Sequence, residues 1–156
     1  MNFMNLRRAI GWGIFLLLVL GGFSLHAAEA HILKVLPQYM DKKGRTALSP
    51  SLFDRDAYQS KLRRNPELAS SLIYRVNWKG SSADAKLTLR VEVRTGGAQG
   101  KVLISEQPVT PPKWGSRWTD LGFTGDDFTA VREAVAWRVT LVEAGKTVAE
   151  QKSFLW

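Results

Sequence analysis

The chain contains no cysteine and only two histidines, His26 and His31. Zinc and copper sites built from imidazole and thiolate ligands are therefore excluded. A Ser-His-Asp triad is not expected either. His26 falls in the export segment described below, and His31 would begin the mature chain, where a terminus holds an imidazole poorly. Without cysteine no disulfide can support the fold, so its stability must come from packing.

The sequence also lacks recognisable phosphate-binding and calcium-binding loops. Residues 96–100 are rich in glycine, but they join two predicted strands and precede no helix, so we predict a turn. Asp126 and Asp127, with Asp120 nearby, lack the alternating Asp spacing and terminal Glu of a calcium loop. We predict instead that Asp126 is the N-cap of a short helix. We expect no catalytic residue, no metal and no cofactor.

One enzymatic alternative remains open at this stage. Asp120, Asp126 and Asp127 could serve a small enzyme or inhibitor, because neighbouring carboxylates support acid–base chemistry. This alternative requires a concave site that contains all three carboxylates. Asp54 and Asp56 lie at the start of another predicted helix, where helix capping accounts for both.

The N-terminal segment has the pattern of a secretory signal peptide. Arg7 and Arg8 precede residues 9–25, which carry no charge, and the small residues Ala28 and Ala30 follow. We predict that residues 1–30 are cleaved after Ala30, with cleavage after Ala28 or retention as a membrane anchor as alternatives. The protein is then expected to be exported to the periplasm or the cell exterior. Contact with the membrane is expected only through this segment, if it is retained.

Removal of 30 residues from 156 leaves 126, which is the size of one domain. This mature part has 20 Lys and Arg against 13 Asp and Glu, a net charge of +7. Because exported proteins rarely meet nucleic acid, this charge points to anionic envelope polymers, lipid head groups or acidic glycans. We expect an anionic envelope polysaccharide or another envelope protein as partner, and no nucleic acid. The alternative is a solvated basic surface that serves solubility.

Period-two alternation of apolar and polar residues dominates the mature part. Leu87, Leu89, Val91 and Val93, for example, alternate with polar residues. Predicted strands cover residues 32–39, 71–78, 86–94, 101–107, 116–123, 134–143 and 146–156. Prolines predict a loop or an edge crossing over residues 108–115, and Ala144-Gly145 predicts a tight turn.

Two short segments break the strand pattern. Residues 51–65 predict one helical crossing between the first two strands, with Ser51 and Asp54 as a capping pair and Pro66 as the stop. Residues 126–133 predict one or two further helical turns. The basic side chains of the first helix are predicted to form a solvated face; they are Arg55, Lys61, Arg63 and Arg64.

Six to seven short strands with few helices predict an all-β antiparallel sandwich, with a partly open barrel as the alternative. The closing segments resemble the last hairpin of immunoglobulin-like and fibronectin-III-like modules of exported bacterial proteins. They are Ala136-Trp137-Arg138-Val139-Thr140-Leu141, Gly145-Lys146 and Gln151-Lys152-Ser153-Phe154-Leu155-Trp156. The resemblance covers residues 70–156. It implies an immunoglobulin-like fold and an adhesive, scaffolding or carbohydrate-binding role.

Five tryptophans follow the signal segment. Trp78 and Trp137 lie on apolar strand faces and are predicted to be buried. Trp156 is predicted to hold the last strand to the body, or alternatively to be offered to a partner.

The run Lys113-Trp114-Gly115-Ser116-Arg117-Trp118 is the predicted ligand site. Its two indoles can stack on sugar rings while Lys113 and Arg117 engage acidic groups. The alternative is that the indoles close one end of the core. The sequence therefore predicts an exported, non-enzymatic binding or structural protein of the cell envelope, with a small carbohydrate-binding module that uses Trp114 and Trp118 as an alternative.

Overall fold

The computed structural model describes residues 29–96, 100–132 and 134–156. Nearly all of the predicted signal peptide and part of the predicted turn over residues 96–100 lie outside these ranges. Within them, no helix is long and apolar enough to span a bilayer. The strands are β1 (His31–Asp41), β2 (Ala69–Lys79), β3 (Leu87–Thr95), β4 (Val102–Val109), β5 (Arg117–Thr124), β6 (Ala134–Glu143) and β7 (Lys146–Lys152). The helices are α1 (Leu52–Arg64) and α2 (Gly125–Val131), and a 3₁₀ turn covers Pro66–Leu68.

The strands form two antiparallel sheets, so the predicted mostly-β, antiparallel architecture is confirmed. The three-stranded sheet has the order β1-β2-β5, and the four-stranded sheet has the order β4-β3-β6-β7. Side chains from both sheets share one apolar core, as in a sandwich. Helix α1 lies in the connection between β1 and β2, as the sequence predicts.

Strand alternation places the core where the sequence predicts it. Leu89, Val91 and Val93 of β3 have no exposed surface, and full burial of such side chains contributes roughly 1.5–3 kcal/mol each. Trp78 is also fully buried, and its indole N–H donates to Thr119 Oγ1 at 2.9 Å. Trp137 is partly buried and packs edge-on against Tyr74, with ring centroids 6.1 Å apart.

Helix α1 begins and ends as predicted. The hydroxyl of Ser51 accepts from the backbone N–H of Asp54 at 3.4 Å, and the 3₁₀ turn starts at Pro66, two residues after the helix ends. The helix lies beside β1, where Gln59 contacts the backbone of the edge strand. Tyr39 N–H donates to Gln59 Oε1 (2.7 Å), and Gln59 Nε2 donates to Tyr39 O (2.8 Å).

Asp41 joins the end of β1 to α1. Its buried carboxylate accepts from the Tyr58 hydroxyl at 2.6 Å and from Arg45 Nε at 2.9 Å. It also accepts from the backbone N–H groups of Lys43 (2.8 Å) and Arg45 (2.9 Å). The bond from Tyr58 contributes most to holding the pKa of this carboxyl well below its usual range.

Three predicted boundaries were wrong. β4 continues to Val109 through Pro108, because an edge strand tolerates a residue without an N–H group. Asp126 is not the N-cap of α2: Thr124 occupies that position, and Gly125 begins the helix with φ +56°. β7 ends at Lys152, because Ser153 turns back on β6: its N–H donates to Trp137 O (2.9 Å), and its hydroxyl accepts from Trp137 N–H (3.0 Å).

The predicted turn between β6 and β7 is confirmed. Ala144 and Gly145 both have positive φ, at 48° and 80°, which suits a two-residue hairpin turn between twisted strands. Beyond β7, the ring of Trp156 lies under the guanidinium groups of Arg94 and Arg138, each 4.8 Å from its centroid. Trp156 thus contacts the outer face of the four-stranded sheet.

Candidate functional site

The outer face of the three-stranded sheet carries the candidate site. The register of β1, β2 and β5 aligns two rows of outward side chains across the strands. The first row is Lys34, Asn77 and Trp118, and the second row is Leu36, Arg75 and Asp120. Since alternate strand residues share a face, these six side chains form one surface opposite the core.

Further along the strands, the side chains of the same face are buried. The next row is Gln38, Ile73 and Gly122, in which Gln38 is 8% and Ile73 is 7% exposed. Gly122 is required there because an added Cβ would lie 2.9 Å from both Ile73 Cγ2 and the Leu72 carbonyl oxygen. Exposure of this sheet face is therefore concentrated in the first two rows.

Arg75 and Asp120 form a bidentate ion pair across β2 and β5. Arg75 Nε donates to Asp120 Oδ1 and Nη2 donates to Oδ2, both at 2.9 Å. Hydrogen bonding to Asp120 raises the pKa of Arg75 above its usual value. The pair uses two of the five guanidinium N–H donors, so further donors and carboxylate lone pairs can meet the hydroxyl groups of a ligand.

Trp118 stands beside this ion pair and is 48% exposed. Leu36, Arg75, Trp118 and Asp120 line an open depression of about 550 Å³. An indole face next to paired donors and acceptors is suited to a ligand that has both C–H faces and hydroxyl groups. A sugar ring has both features.

Trp114 and Lys113 lie in the loop that leads into β5. Trp114 is 90% exposed and is not among the side chains that line the depression. The loop is anchored at its start, where Pro111 packs so closely on Gly80 that an added Cβ would lie 2.5 Å from the proline Cγ. Gly115, with φ +70°, provides the bend before β5.

Arg117 belongs to this loop anchor and does not lie beside Trp118. The two are consecutive strand residues, so their side chains leave opposite faces of β5. Arg117 Nη1 donates to Thr110 O at 3.0 Å and thereby joins the two ends of the loop. Of the four predicted ligand-site residues, Trp118 lines the depression, Lys113 and Trp114 project from the loop, and Arg117 braces the loop.

The three carboxylates of the enzymatic alternative do not meet in the depression. Asp120 is paired with Arg75 in β5, whereas Asp126 and Asp127 are exposed in the first turn of α2. The depression lined by Asp120 contains neither of them. Across the described residues, no group of three His, Asp or Glu side chains is arranged to hold a metal ion.

Arg75 and Leu36 belong to the site but are not among the residues predicted from the sequence. Arg75 does lie on the polar side of β2 in the alternation pattern. Its pairing with Asp120 depends on β2 and β5 being neighbours, although 37 residues separate the two strands. Alternation within one strand carries no signal for that pairing. Comparison with known proteins gave no match to a family model, a curated protein or a solved structure.

Proposed function

We propose that this protein is an exported, non-enzymatic binding module of the cell envelope that binds acidic polysaccharide through the outer face of its three-stranded sheet. The observation that carries the proposal is the half-exposed Trp118 beside the Arg75–Asp120 pair in an open depression. Indole stacking on a sugar ring supplies contact area, and the ion pair supplies directional hydrogen bonds.

The charges around the depression favour an acidic ligand. Lys34 is exposed in the same row as Trp118, and Lys113 is exposed in the adjacent loop. Asp120 is the opposing charge in these two rows, and Arg75 neutralises it. A uronic acid or another anionic sugar would therefore meet a net positive surface.

The openness of the site favours binding over catalysis. The depression is a surface of one sheet with no second carboxylate in its lining. Acid–base hydrolysis of a glycoside requires two carboxyl groups on either side of the bond. A polymer chain, in contrast, can lie across an open face without its ends being enclosed.

We further propose an immunoglobulin-like topology of the fibronectin-III kind. With the strands lettered A, B, C, C′, E, F and G in chain order, the sheets are A-B-E and C′-C-F-G. This order supports the assignment, since immunoglobulin-like domains divide their strands in this way. The helix between A and B and the absence of cysteine set this chain apart from antibody domains.

Binding to immobilised acidic and neutral polysaccharides at low and high salt tests the functional proposal. We expect retention on the acidic polymer that weakens but persists at high salt, because stacking is not screened. Trp118→Ala should weaken binding about fivefold to thirtyfold, which corresponds to about 1–2 kcal/mol. Trp156→Ala removes an indole from the opposite sheet and should leave binding unchanged. Equal retention of the Trp118→Ala variant would contradict the proposal.

Substitution of Asp120 distinguishes the binding proposal from the enzymatic alternative. Asp120→Asn keeps the shape of the side chain but removes the charge that neutralises Arg75. We expect tighter binding to acidic polysaccharide in this variant. Weaker binding of this variant would contradict the proposed preference for an acidic ligand, and loss of a hydrolytic activity found in the wild type would support the enzymatic alternative.

A further inference from the structure

A second exposed surface is independent of the glycan site. Leu48, Leu52 and Phe53 lie within six residues at the start of α1 and are exposed to 59%, 64% and 82% of their surface. We call these three residues the apolar tip. Apolar side chains this exposed and this close together mark an interaction surface more often than isolated ones do.

The apolar tip lies inside the most basic part of the chain. Residues 41–64 contain seven Lys and Arg and three Asp, so they carry +4 of the chain's formal +8. Basic side chains lie on both sides of the tip in sequence. Lys42, Lys43 and Arg45 precede it, and Arg55, Lys61, Arg63 and Arg64 follow it.

Most of these cations are directed to solvent. Lys42, Lys43, Lys61, Arg63 and Arg64 are exposed. Arg45 is held by Asp41 at 2.8 Å, and Arg55 lies 3.7 Å from Asp56. Five exposed cations therefore accompany the tip without being needed to hold α1 in place.

The helix is oriented to present Phe53 outward. Tyr58, Gln59 and Leu62 face the body of the protein, through the Tyr58–Asp41 bond, the Gln59–Tyr39 bonds and the burial of Leu62. At 100° per residue, Phe53 lies on the side of the helix opposite Leu62, with Arg64 about 20° and Lys61 about 80° away from it. The contacts that fix α1 thus leave Phe53 and two cations on its outer side.

In place of the expectation that only the signal segment contacts the membrane, we infer that this surface docks onto an anionic lipid bilayer, with the apolar tip in the headgroup region and the cations over lipid phosphates. Exposed aromatic and aliphatic side chains flanked by Lys and Arg are the combination that binds such interfaces. A protein partner would need an apolar pocket within an acidic surface. An anionic bilayer has both features over its whole surface, because acidic headgroups lie above an apolar interior.

Flotation with lipid vesicles tests the inference on the protein purified from cells that express the full chain. We expect binding to phosphatidylcholine vesicles that contain about one-third phosphatidylglycerol, and none to pure phosphatidylcholine. Phe53→Ser should weaken binding at least tenfold. Lys42→Ser/Lys43→Ser should weaken it by a comparable factor, since each cation near the surface contributes about fivefold.

Two substitutions at exposed positions outside the apolar tip serve as matched controls. Ile104→Ser removes a side chain that is 53% exposed on β4, and Trp118→Ala removes the indole of the glycan site; neither should change vesicle binding. Because Phe53 is 82% exposed, Phe53→Ser should also unfold at the wild-type temperature. Failure of the wild type to bind anionic vesicles, or equal binding by Phe53→Ser, would overturn the inference. So would tight capture of an acidic protein at the tip without vesicle binding.

Discussion

At the scale of single residues, the Asp41 carboxylate is the group that joins the end of β1 to α1. Four hydrogen bonds converge on it from Tyr58, Arg45 and the backbone of Lys43 and Arg45. The pKa of Asp41 is lowered, chiefly by the hydroxyl of Tyr58. Its stabilising contribution is therefore fully present above the ordinary carboxyl pKa of about 3.9 and is lost as the pH falls toward the folded-state pKa.

We predict that Asp41→Asn lowers the free energy of unfolding at pH 7 and that the difference from wild type narrows between about pH 5 and pH 2. Urea unfolding at a series of pH values measures this difference. Asp84→Asn, at an exposed turn position, is the control and should change stability by less than about 0.5 kcal/mol. A difference for Asp41→Asn that is constant with pH would contradict the proposed role of the charged carboxylate.

Gly80 is the second residue on which a local structure depends. An added Cβ would lie 2.5 Å from Pro111 Cγ and 2.7 Å from Pro111 Cβ. We predict that Gly80→Ala destabilises the protein by about 1–3 kcal/mol through overpacking against this ring. Because Pro111→Ala removes Cγ, the nearer of the two clashing atoms, the double variant should be less destabilised than the sum of the two single variants. Additive effects in thermal unfolding would show that the destabilisation does not come from contact with Pro111.

At the scale of elements, α1 protects an edge of the three-stranded sheet. The Gln59 amide bonds the N–H and C=O of Tyr39 and also donates to Thr46 O at 2.7 Å. It satisfies groups that an exposed edge would offer to another chain. Gln59→Glu replaces the donating NH₂ with an oxygen that faces two carbonyl groups.

We predict that Gln59→Glu destabilises the fold by about 1–3 kcal/mol, and that Gln59→Ala, which also removes the acceptor of the Tyr39 N–H, increases hydrogen exchange at that amide. Ser60→Ala on the same helix is the control and should leave both quantities close to wild type. Unchanged exchange at Tyr39 in Gln59→Ala would mean that the edge is protected by something other than this side chain.

The start of β1 bears on the site of signal cleavage. Ala30 is 4% exposed and packs in the core, directly before His31 begins the strand. A mature chain that starts at Glu29 keeps this contact, whereas one that starts at His31 loses it. We therefore predict cleavage after Ala28, the alternative site, in place of the site after Ala30 that the sequence pattern favours. Intact-mass measurement of the exported protein distinguishes the two, and a mature N-terminus at His31 would contradict the prediction.

Strands were predictable here because burial of one face imposes period two on the sequence, as at Leu87 to Val93. The ends of elements were harder, because they depend on partners elsewhere. Strand β7 ends where the Ser153 hydroxyl accepts from the Trp137 N–H of β6, and α2 starts at a glycine that can adopt positive φ. Likewise Trp118 was predicted as a ligand-site residue from its aromatic–basic run, whereas Arg75 joins it only through the register of two strands distant in sequence.

At the scale of the whole molecule, the positive charge is unevenly distributed. Residues 41–64 carry half of the formal charge, while the depression around Trp118 combines one ion pair with nearby lysines. This distribution suits a protein that meets two anionic surfaces, a bilayer at α1 and a polysaccharide at the sheet face. Salt should weaken the two interactions to different degrees, because cations and apolar side chains contribute to them in different proportions.

The most direct test of the account follows the tryptophan indole N–H signals by NMR while an acidic oligosaccharide is added. We predict a saturable shift of the Trp118 signal, with the signals of the buried Trp78 and of Trp156 on the opposite sheet unchanged. Asp120→Asn should produce the same shift at a lower sugar concentration. A shift confined to Trp156, or no shift of Trp118 at saturating sugar, would contradict the claim that the outer face of the three-stranded sheet binds acidic glycan.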